Sequence, residues 1–301
     1  MRWLIIKRTY FFLFLGLLGA CRETLSKAEN FEKTVLSQID SIDGDVAVVF
    51  YTLSDPKDSL FINENEKFHA ASTMKVPVMI ELFKQAEQGK IDLNDSILLK
   101  NEFKSIVDGS SYSMDVSDDS DDVVYGQIGS KVALRDLMYS MITVSSNLAT
   151  NVLIELVGAK KVTGTMRDLG AENIEVLRGV EDQKAYNQGL SNSTTAKDLL
   201  LIMEGIADGS AGTPEDCEIM IAILKEQQFN DIVPFYLPKN VSVAHKTGSI
   251  TGVHHDTAIV FLPDGRSYIL VLLSKNLENF DKGTEQLAGI SKTVYDYMMD
   301  Q

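Results

Sequence analysis

The chain has 301 residues, 45% of them hydrophobic and 24% charged, with 6 Pro, 20 Gly and only 2 Cys. This mix excludes a disordered chain, a collagen-like repeat and a disulfide-stapled miniprotein, and the length suffices for a sizeable core in one large domain or two joined lobes. A formal charge of −15 repels phosphates, so no nucleic-acid partner is expected, and 4 His with 2 Cys are too few for a Cys-rich zinc module.

Arg2, Lys7 and Arg8 precede an apolar run from Tyr10 to Ala20. A basic head before so short a run predicts a secretory signal, because a membrane-spanning helix takes about 20 apolar residues. The run ends Leu18-Gly19-Ala20-Cys21, which resembles the lipobox of bacterial lipoproteins. That resemblance implies cleavage before Cys21, lipid attachment to its sulfur, and an exported protein held at a membrane in the periplasm or on the cell surface. Loss of residues 1–20 removes three basic residues and no acidic one, taking the charge from −15 to −18. Cys217 is then the only thiol left, and it reads as an ordinary residue on or near a helix.

Residues 22–43 are polar and read as a tether or a first surface helix. Asp45 to Leu53 and Ser59 to Asn63 are predicted strands, joined by a turn at Ser54-Asp55-Pro56-Lys57. A helix is predicted from Thr73 toward Gly89, with Val76, Met79, Ile80 and Phe83 on one face and Pro77 just past its first turn. Asp115, Asp118, Asp119, Asp121 and Asp122 read as a solvated loop, since their spacing lacks the glycine and closing Glu of a calcium-binding loop. Leu134 to Met141, Asn147 to Val157, Val162 to Leu169 and Thr195 to Ile206 have helical periodicity. Val241 to Lys246, Thr257 to Leu262 and Ser267 to Leu273 are strand-like, with a hairpin turn at Asp264-Gly265, and a last helix covers about Thr284 to Met299. Strands at both ends with helices between predict an α+β fold. Its first strands pair with its last, a helical lobe occupies about residues 90–210, and a cleft lies between the two.

Three short motifs carry chemistry. Ser72-Thr73-Met74-Lys75 opens the first long helix, where a serine and a lysine three residues apart share a face and an amine can activate a hydroxyl. Ser145-Ser146-Asn147 opens another, offering a hydroxyl and an amide to a cleft. Lys246-Thr247-Gly248 ends a strand, where a cation and a hydroxyl can hold a carboxylate and glycine lets a ligand lie against the backbone. Singly each is weak, for Ser54-Asp55-Pro56-Lys57 and Ser274-Lys275-Asn276 share two of the spacings.

Together, in this order and these contexts, they resemble the set found in class A β-lactamases and penicillin-binding proteins, the penicillin-recognising serine hydrolases. The resemblance covers roughly residues 40–300 and includes Asn147 to Asn151 and Asp256 to Val260. It implies a five-stranded antiparallel sheet flanked by helices beside an all-helical lobe, with residues 44–301 as the catalytic domain. It further implies that Ser72 is acylated, Lys75 accepts its proton, Ser145 conveys a proton to the leaving nitrogen, and Lys246 assists electrostatically. Asn147 would bind the substrate's side-chain amide, Thr247 and Ser249 would face its carboxylate, and the Ser72 and Ser249 N–H groups would form the oxyanion hole.

Two departures stand out. Ser146 replaces the aspartate usual in the second motif, so that carboxylate is missing from it. The family's loop glutamate precedes an asparagine by four residues, but here Gln183 stands four before Asn187. Glu181 and Asp182 lie out of register, and Glu181 is the candidate for activating the deacylating water. Arg178 is expected to close this loop near Asn192. His254-His255-Asp256 looks ligand-like but leads into a strand with no partner cluster, so no metal is expected, and His245 should point away from the cleft if Lys246 points in.

The leading expectation is therefore a monomeric serine β-lactamase without metal or organic cofactor, acting on a small-molecule β-lactam. The alternatives are a D-alanyl-D-alanine peptidase acting on peptidoglycan stem peptides, and a β-lactam sensor that is acylated but scarcely turns over.

Overall fold

The computed structural model describes residues 26–54 and 58–301. The apolar leader, Cys21 and residues 55–57 of the expected turn lie outside the described residues. Five strands, β1 (Asp45–Thr52), β2 (Ser59–Ile62), β3 (Ser242–Ile250), β4 (Val253–Phe261) and β5 (Ser267–Lys275), form one antiparallel sheet in the order β2-β1-β5-β4-β3. The first strands do pair with the last: Asp45 faces Lys275 and Thr52 faces Tyr268. β5 shows why its sequence is continuously apolar. Tyr268, Leu270 and Leu272 enter the core on one face of the sheet, while Ile269, Val271 and Leu273 enter the core on the other. A strand covered on both faces has no polar side to alternate with.

One face is covered by α1 (Lys27–Ile39) and the C-terminal helix. Ser26 caps α1 in a reciprocal box with Glu29, a strong start signal, and Phe31 stacks on Tyr297 at 4.0 Å. Residues 27–39 are thus a packed helix rather than a tether. The other face carries the helical layer, built around α2 (Lys75–Glu87). This helix is buried nearly all round, from Val76 to Phe83 without a break, so the single apolar face expected for it is only part of its contact surface. Pro77 falls inside its first turn, where a missing N–H is tolerated. Around it stand α3 (Leu134–Thr143), α4 (Asn147–Val157), α5 (Ala159–Asp168), the short α6 (Gln183–Asn187), α7 (Ala196–Asp208), α8 (Pro214–Lys225), and, beyond the sheet, α9 (Phe280–Met299).

Helix α8 is foreshadowed in the sequence reading only by Cys217, expected on or near a helix, and its bounds are not drawn there, although Thr213 caps it and Pro214 opens it, a legible start signal. Cys217 is buried there. The C-terminal strands run longer than periodicity suggested, because ladder bonding carries β3 through Lys246-Thr247-Gly248-Ser249 to Ile250 opposite Val253. That extension places the third motif along an edge strand beside the helical layer.

Candidate active site

Ser72 lies on a tight 3-10 turn, Ala71–Met74, that leads into α2. Ala71 holds a left-handed φ of 44°, a conformation costly for a residue with a Cβ. Thr73 locks the turn by donating its hydroxyl to the Ala70 carbonyl at 2.6 Å. Strand β3 lies directly on the turn. A Cβ at Gly248 would stand 3.0 Å from the Ser72 nitrogen and 3.1 Å from the Thr73 nitrogen, so its own protein's backbone already crowds this position, before any ligand. The Ser72 hydroxyl makes no hydrogen bond among the described residues and opens onto the cleft.

The second motif meets the first from across the helical layer. Lys75 is fully buried and donates to the Ser145 carbonyl at 2.7 Å, the Ser145 hydroxyl at 3.1 Å and the Asn147 Oδ1 at 2.9 Å. The amine thus turns toward the Ser145–Asn147 turn instead of bonding Ser72, because that turn supplies acceptors for all three ammonium protons. Burial pushes the Lys75 pKa down to about 7, with the negative charges of Asp119 and Glu181 opposing the fall. From β3, the fully buried Lys246 donates to the same Ser145 hydroxyl at 3.1 Å and to the Thr247 carbonyl at 2.9 Å. Its pKa is driven well below the ordinary lysine value by burial first and by the Lys75 charge second. Two amines converge on one hydroxyl. Ser145 itself sits at φ 59°, so the turn that presents it holds strain of order 1–3 kcal/mol that its surroundings must offset.

The opposite wall is the loop between Arg178 and Asn192. Asn192 closes it as expected: its Oδ1 accepts from the Leu177 and Arg178 N–H groups at 2.8 and 3.2 Å, and its Nδ2 donates to the Arg178 carbonyl at 2.9 Å. The Arg178 guanidinium donates to the carbonyls of Leu190 and Gly179. From α4, Asn151 holds Val180 on both sides, accepting from its N–H at 2.6 Å and donating to its carbonyl at 3.0 Å. Glu181 follows at φ 59° and turns into the cleft. Burial raises its pKa, the Asp118 charge adds to the rise, and Arg178 and Lys75 oppose it. Asp182 is otherwise engaged. Its carboxylate accepts from the Ser105 hydroxyl, the Ile106 N–H and the Ala185 N–H, and these bonds outweigh burial to hold its pKa low. Gln183 donates to Asn187 at 2.9 Å on the exposed side of α6, so the residue at the family's usual spacing is bonded to its own helix.

Two adjoining cavities, about 320 and 340 Å³, share Ser72, Asp118, Asn147 and Ser249 as walls. The first reaches Glu181 and Tyr186, and the second reaches Ser145, Thr247, Phe229 and His254. All nine candidate residues of the cleft, Ser72, Lys75, Ser145, Asn147, Glu181, Lys246, Thr247, Gly248 and Ser249, are brought together around these cavities or directly behind their walls. The histidines diverge. His245 bonds Asp256 on the side of β3 away from Lys246, His255 donates to the His69 carbonyl, and His254 bonds Thr284. Two contributors were missed. His254 borders the second cavity through its place on β4, and Asp119 accepts from the Asn147 and Leu148 N–H groups. No local periodicity marks either, since both act through chain segments far away in sequence.

This sheet with its helical layer, and a buried lysine pair around a cleft serine, define the serine β-lactamase class of fold. The chain belongs to the β-lactamase enzyme family, which it matches over residues 30–298. Among curated relatives it is 24% identical to β-lactamase PSE-4 of Pseudomonas aeruginosa over 244 residues, covering 79% of this chain and 80% of the relative. Among solved structures it resembles a class A β-lactamase of Bacteroides cellulosilyticus, with a TM-score of 0.77 and 21% identity over 92% of this chain and 100% of that one. It resembles PBP-A equally, with a TM-score of 0.78 and 24% identity over 90% and 97%.

Proposed function

We propose that this protein is a serine β-lactamase that opens the lactam amide through an acyl-enzyme on Ser72. The observation that carries the reading is the convergence of Lys75 and Lys246 on the Ser145 hydroxyl beside Ser72. Ser72 Oγ attacks the lactam carbonyl and its proton passes to the Lys75 amine, which a pKa of about 7 leaves substantially unprotonated at neutral pH. As the C–N bond breaks, the Ser145 hydroxyl gives its proton to the leaving nitrogen and is replenished from the neighbouring amines. The Ser72 and Ser249 N–H groups hold the oxyanion, a contribution of about 10²–10³ in rate per donor. Asn147 turns its amide toward the substrate's side chain, while Thr247 and Ser249 face its carboxylate. Water held by Glu181 then cleaves the ester, returning Ser72.

The test is turnover of a chromogenic cephalosporin together with intact-protein mass. Sustained hydrolysis is expected, with Ser72→Ala abolishing labelling by a penicillin probe and Ser54→Ala leaving it intact. Labelling that survives loss of Ser72 refutes the nucleophile. The likeness to PBP-A supports a second reading, a D-alanyl-D-alanine peptidase. Release of D-alanine from a stem-peptide mimic, with a stoichiometric burst on the cephalosporin, would favour it. The proposal extends to location: Cys21 is lipidated and anchors the exported protein, and Cys21→Ser releases it from membranes. Unchanged membrane partitioning would exclude that anchor.

A further inference from the structure

Helix α4 begins at Asn147, and its first N–H groups have no partners within the helix. The hydroxyl of Ser146, the N-cap, accepts only from the Ala149 N–H. The N–H groups of Asn147 and Leu148 are instead taken by Asp119, with Oδ1 and Oδ2 at 2.9 and 3.0 Å from the first and Oδ2 at 2.8 Å from the second. The Asp121 N–H donates to the same carboxylate at 3.2 Å, and the Tyr125 hydroxyl lies against it. The neighbouring aspartates do other things: Asp115 and Asp121 cap their own short turns, and Asp118 borders both cavities. The same loop also reaches the turn carrying Ser145 through the Ser120 hydroxyl, which donates to the Val144 carbonyl at 2.6 Å, and the Asp118 carbonyl, which accepts from Asn147 Nδ2 at 3.3 Å. Of its side-chain carboxylates, however, Asp119 is the one that takes the helix-start N–H groups beside Ser145, the residue at φ 59° whose carbonyl and hydroxyl hold Lys75.

We propose that Asp119 is a positioning residue for the reaction, a carboxylate delivered from a separate loop that clamps the start of α4 and so fixes Ser145, Asn147 and, through them, the Lys75 amine. The proposal rests on the reading of Ser72 and Lys75 given above. It also explains how Ser146 can stand in the second motif without a carboxylate of its own. Three charged groups face the Lys75 amine from the elements around it: Asp119 from its loop, Glu181 from the opposite wall and Lys246 from β3. The first two favour the ammonium and the third opposes it. Removing the Asp119 charge therefore tips Lys75 further toward the free amine.

The experiment uses the mature chain with ¹³C-labelled lysine side chains, comparing Asp119→Asn, Asp119→Ala and Asp119→Ala with Ser146→Asp. In Asp119→Asn, whose shape is preserved, the NMR titration of Lys75 moves down by about one pH unit, the lower end of what an adjacent opposite charge commands. Acylation by a penicillin probe, followed by intact mass, slows about 10–100-fold on its plateau, the scale on which small displacements of catalytic groups act. Its acid limb moves to lower pH along with Lys75. Ser146→Asp restores rate and limb in the Asp119→Ala background by returning a carboxylate to the helix cap. An unmoved Lys75 titration in Asp119→Asn overturns the proposal, as does a rate loss that Ser146→Asp leaves uncorrected in a folded protein. If the unsubstituted protein is never acylated, the Ser72 reading fails while the Lys75 titration still decides the role of Asp119.

Discussion

Gly179 stands where the loop bearing Glu181 crosses α4, and replacing it with alanine isolates that crossing. Its backbone lies outside the left-handed region, so alanine meets no conformational penalty there, but the new Cβ would fall 2.3 Å from Asn151 Oδ1 and 2.7 Å from its Cγ. Asn151 cannot simply rotate away. Its amide accepts from the Val180 N–H at 2.6 Å and donates to the Val180 carbonyl at 3.0 Å, and its side chain is buried. Relief of the clash sacrifices both bonds, at about 1 kcal/mol each where water can replace them and about 3 kcal/mol each where it cannot. A loss of about 2–6 kcal/mol follows, and at about 2–4 °C per kcal/mol for a chain of this size the Tm falls by at least about 4 °C. Because Glu181 is two residues on, deacylation suffers more than acylation, and an acyl adduct accumulates in intact-mass measurements during turnover. Combining Gly179→Ala with Asn151→Ala should cost less than the sum of the two, since the second change removes the atoms the first one strikes. An unaltered Tm with unaltered turnover in Gly179→Ala would refute the reasoning.

Glu181→Gln should slow deacylation by about 10²–10⁴ while sparing acylation, again read as a trapped adduct; a normal steady state would return the water to another base. The acylation rate should rise with pH through the Lys75 pKa of about 7, because the free amine accepts the proton; a flat profile in pre-steady-state labelling would exclude it. His255 is fully buried, accepts from the Ser274 N–H on Nδ1 and donates from Nε2 to His69, which fixes the neutral ring. Burial lowers its pKa from 6.5 to about 4, so its contribution is complete above pH 6.5 and drains away as pH falls toward 4. That contribution is on the order of 3 kcal/mol, and urea melts of His255→Gln should show a shallower acid decline than the parent. Gly248→Ala should slow penicillin labelling, since a Cβ there crowds the backbone of Ser72 and Thr73 and one side must shift by a few tenths of an ångström; labelling at the parent rate would show that β3 can retreat.

What sequence could disclose here divides along a physical line. Elements fixed by short-range periodicity were legible: Asn147–Val157 appears with its expected ends, and the pairing of first strands with last followed from strands at both termini. The three motifs were legible because each is contiguous and depends on its own helix start or strand end. Relations made by distant segments were hidden. The Asp119 carboxylate reads as one more solvated charge until the fold lays its loop across α4. Glu181 reaches the cleft by a left-handed turn that no spacing rule encodes, and Asp182, equally near in sequence, is drawn off by Ser105 and Ile106. The Lys75 amine likewise chose among acceptors that come from 70 residues away.

The antiparallel pairing of β1 with β5 joins Asp45 to Lys275, partners about 230 residues apart. A ribosome making this chain delivers β1 and β2 early, and a two-stranded hairpin is marginal by itself in water. Their partner emerges only after nearly everything else. Loop closure over such a separation is slow, and waiting strands with open edges are prone to aggregate. The same order of synthesis governs chemistry. Ser72 and Lys75 exist long before Lys246 and Gly248 arrive to complete the cleft, so an unfinished chain carries a nucleophile that has not yet been armed.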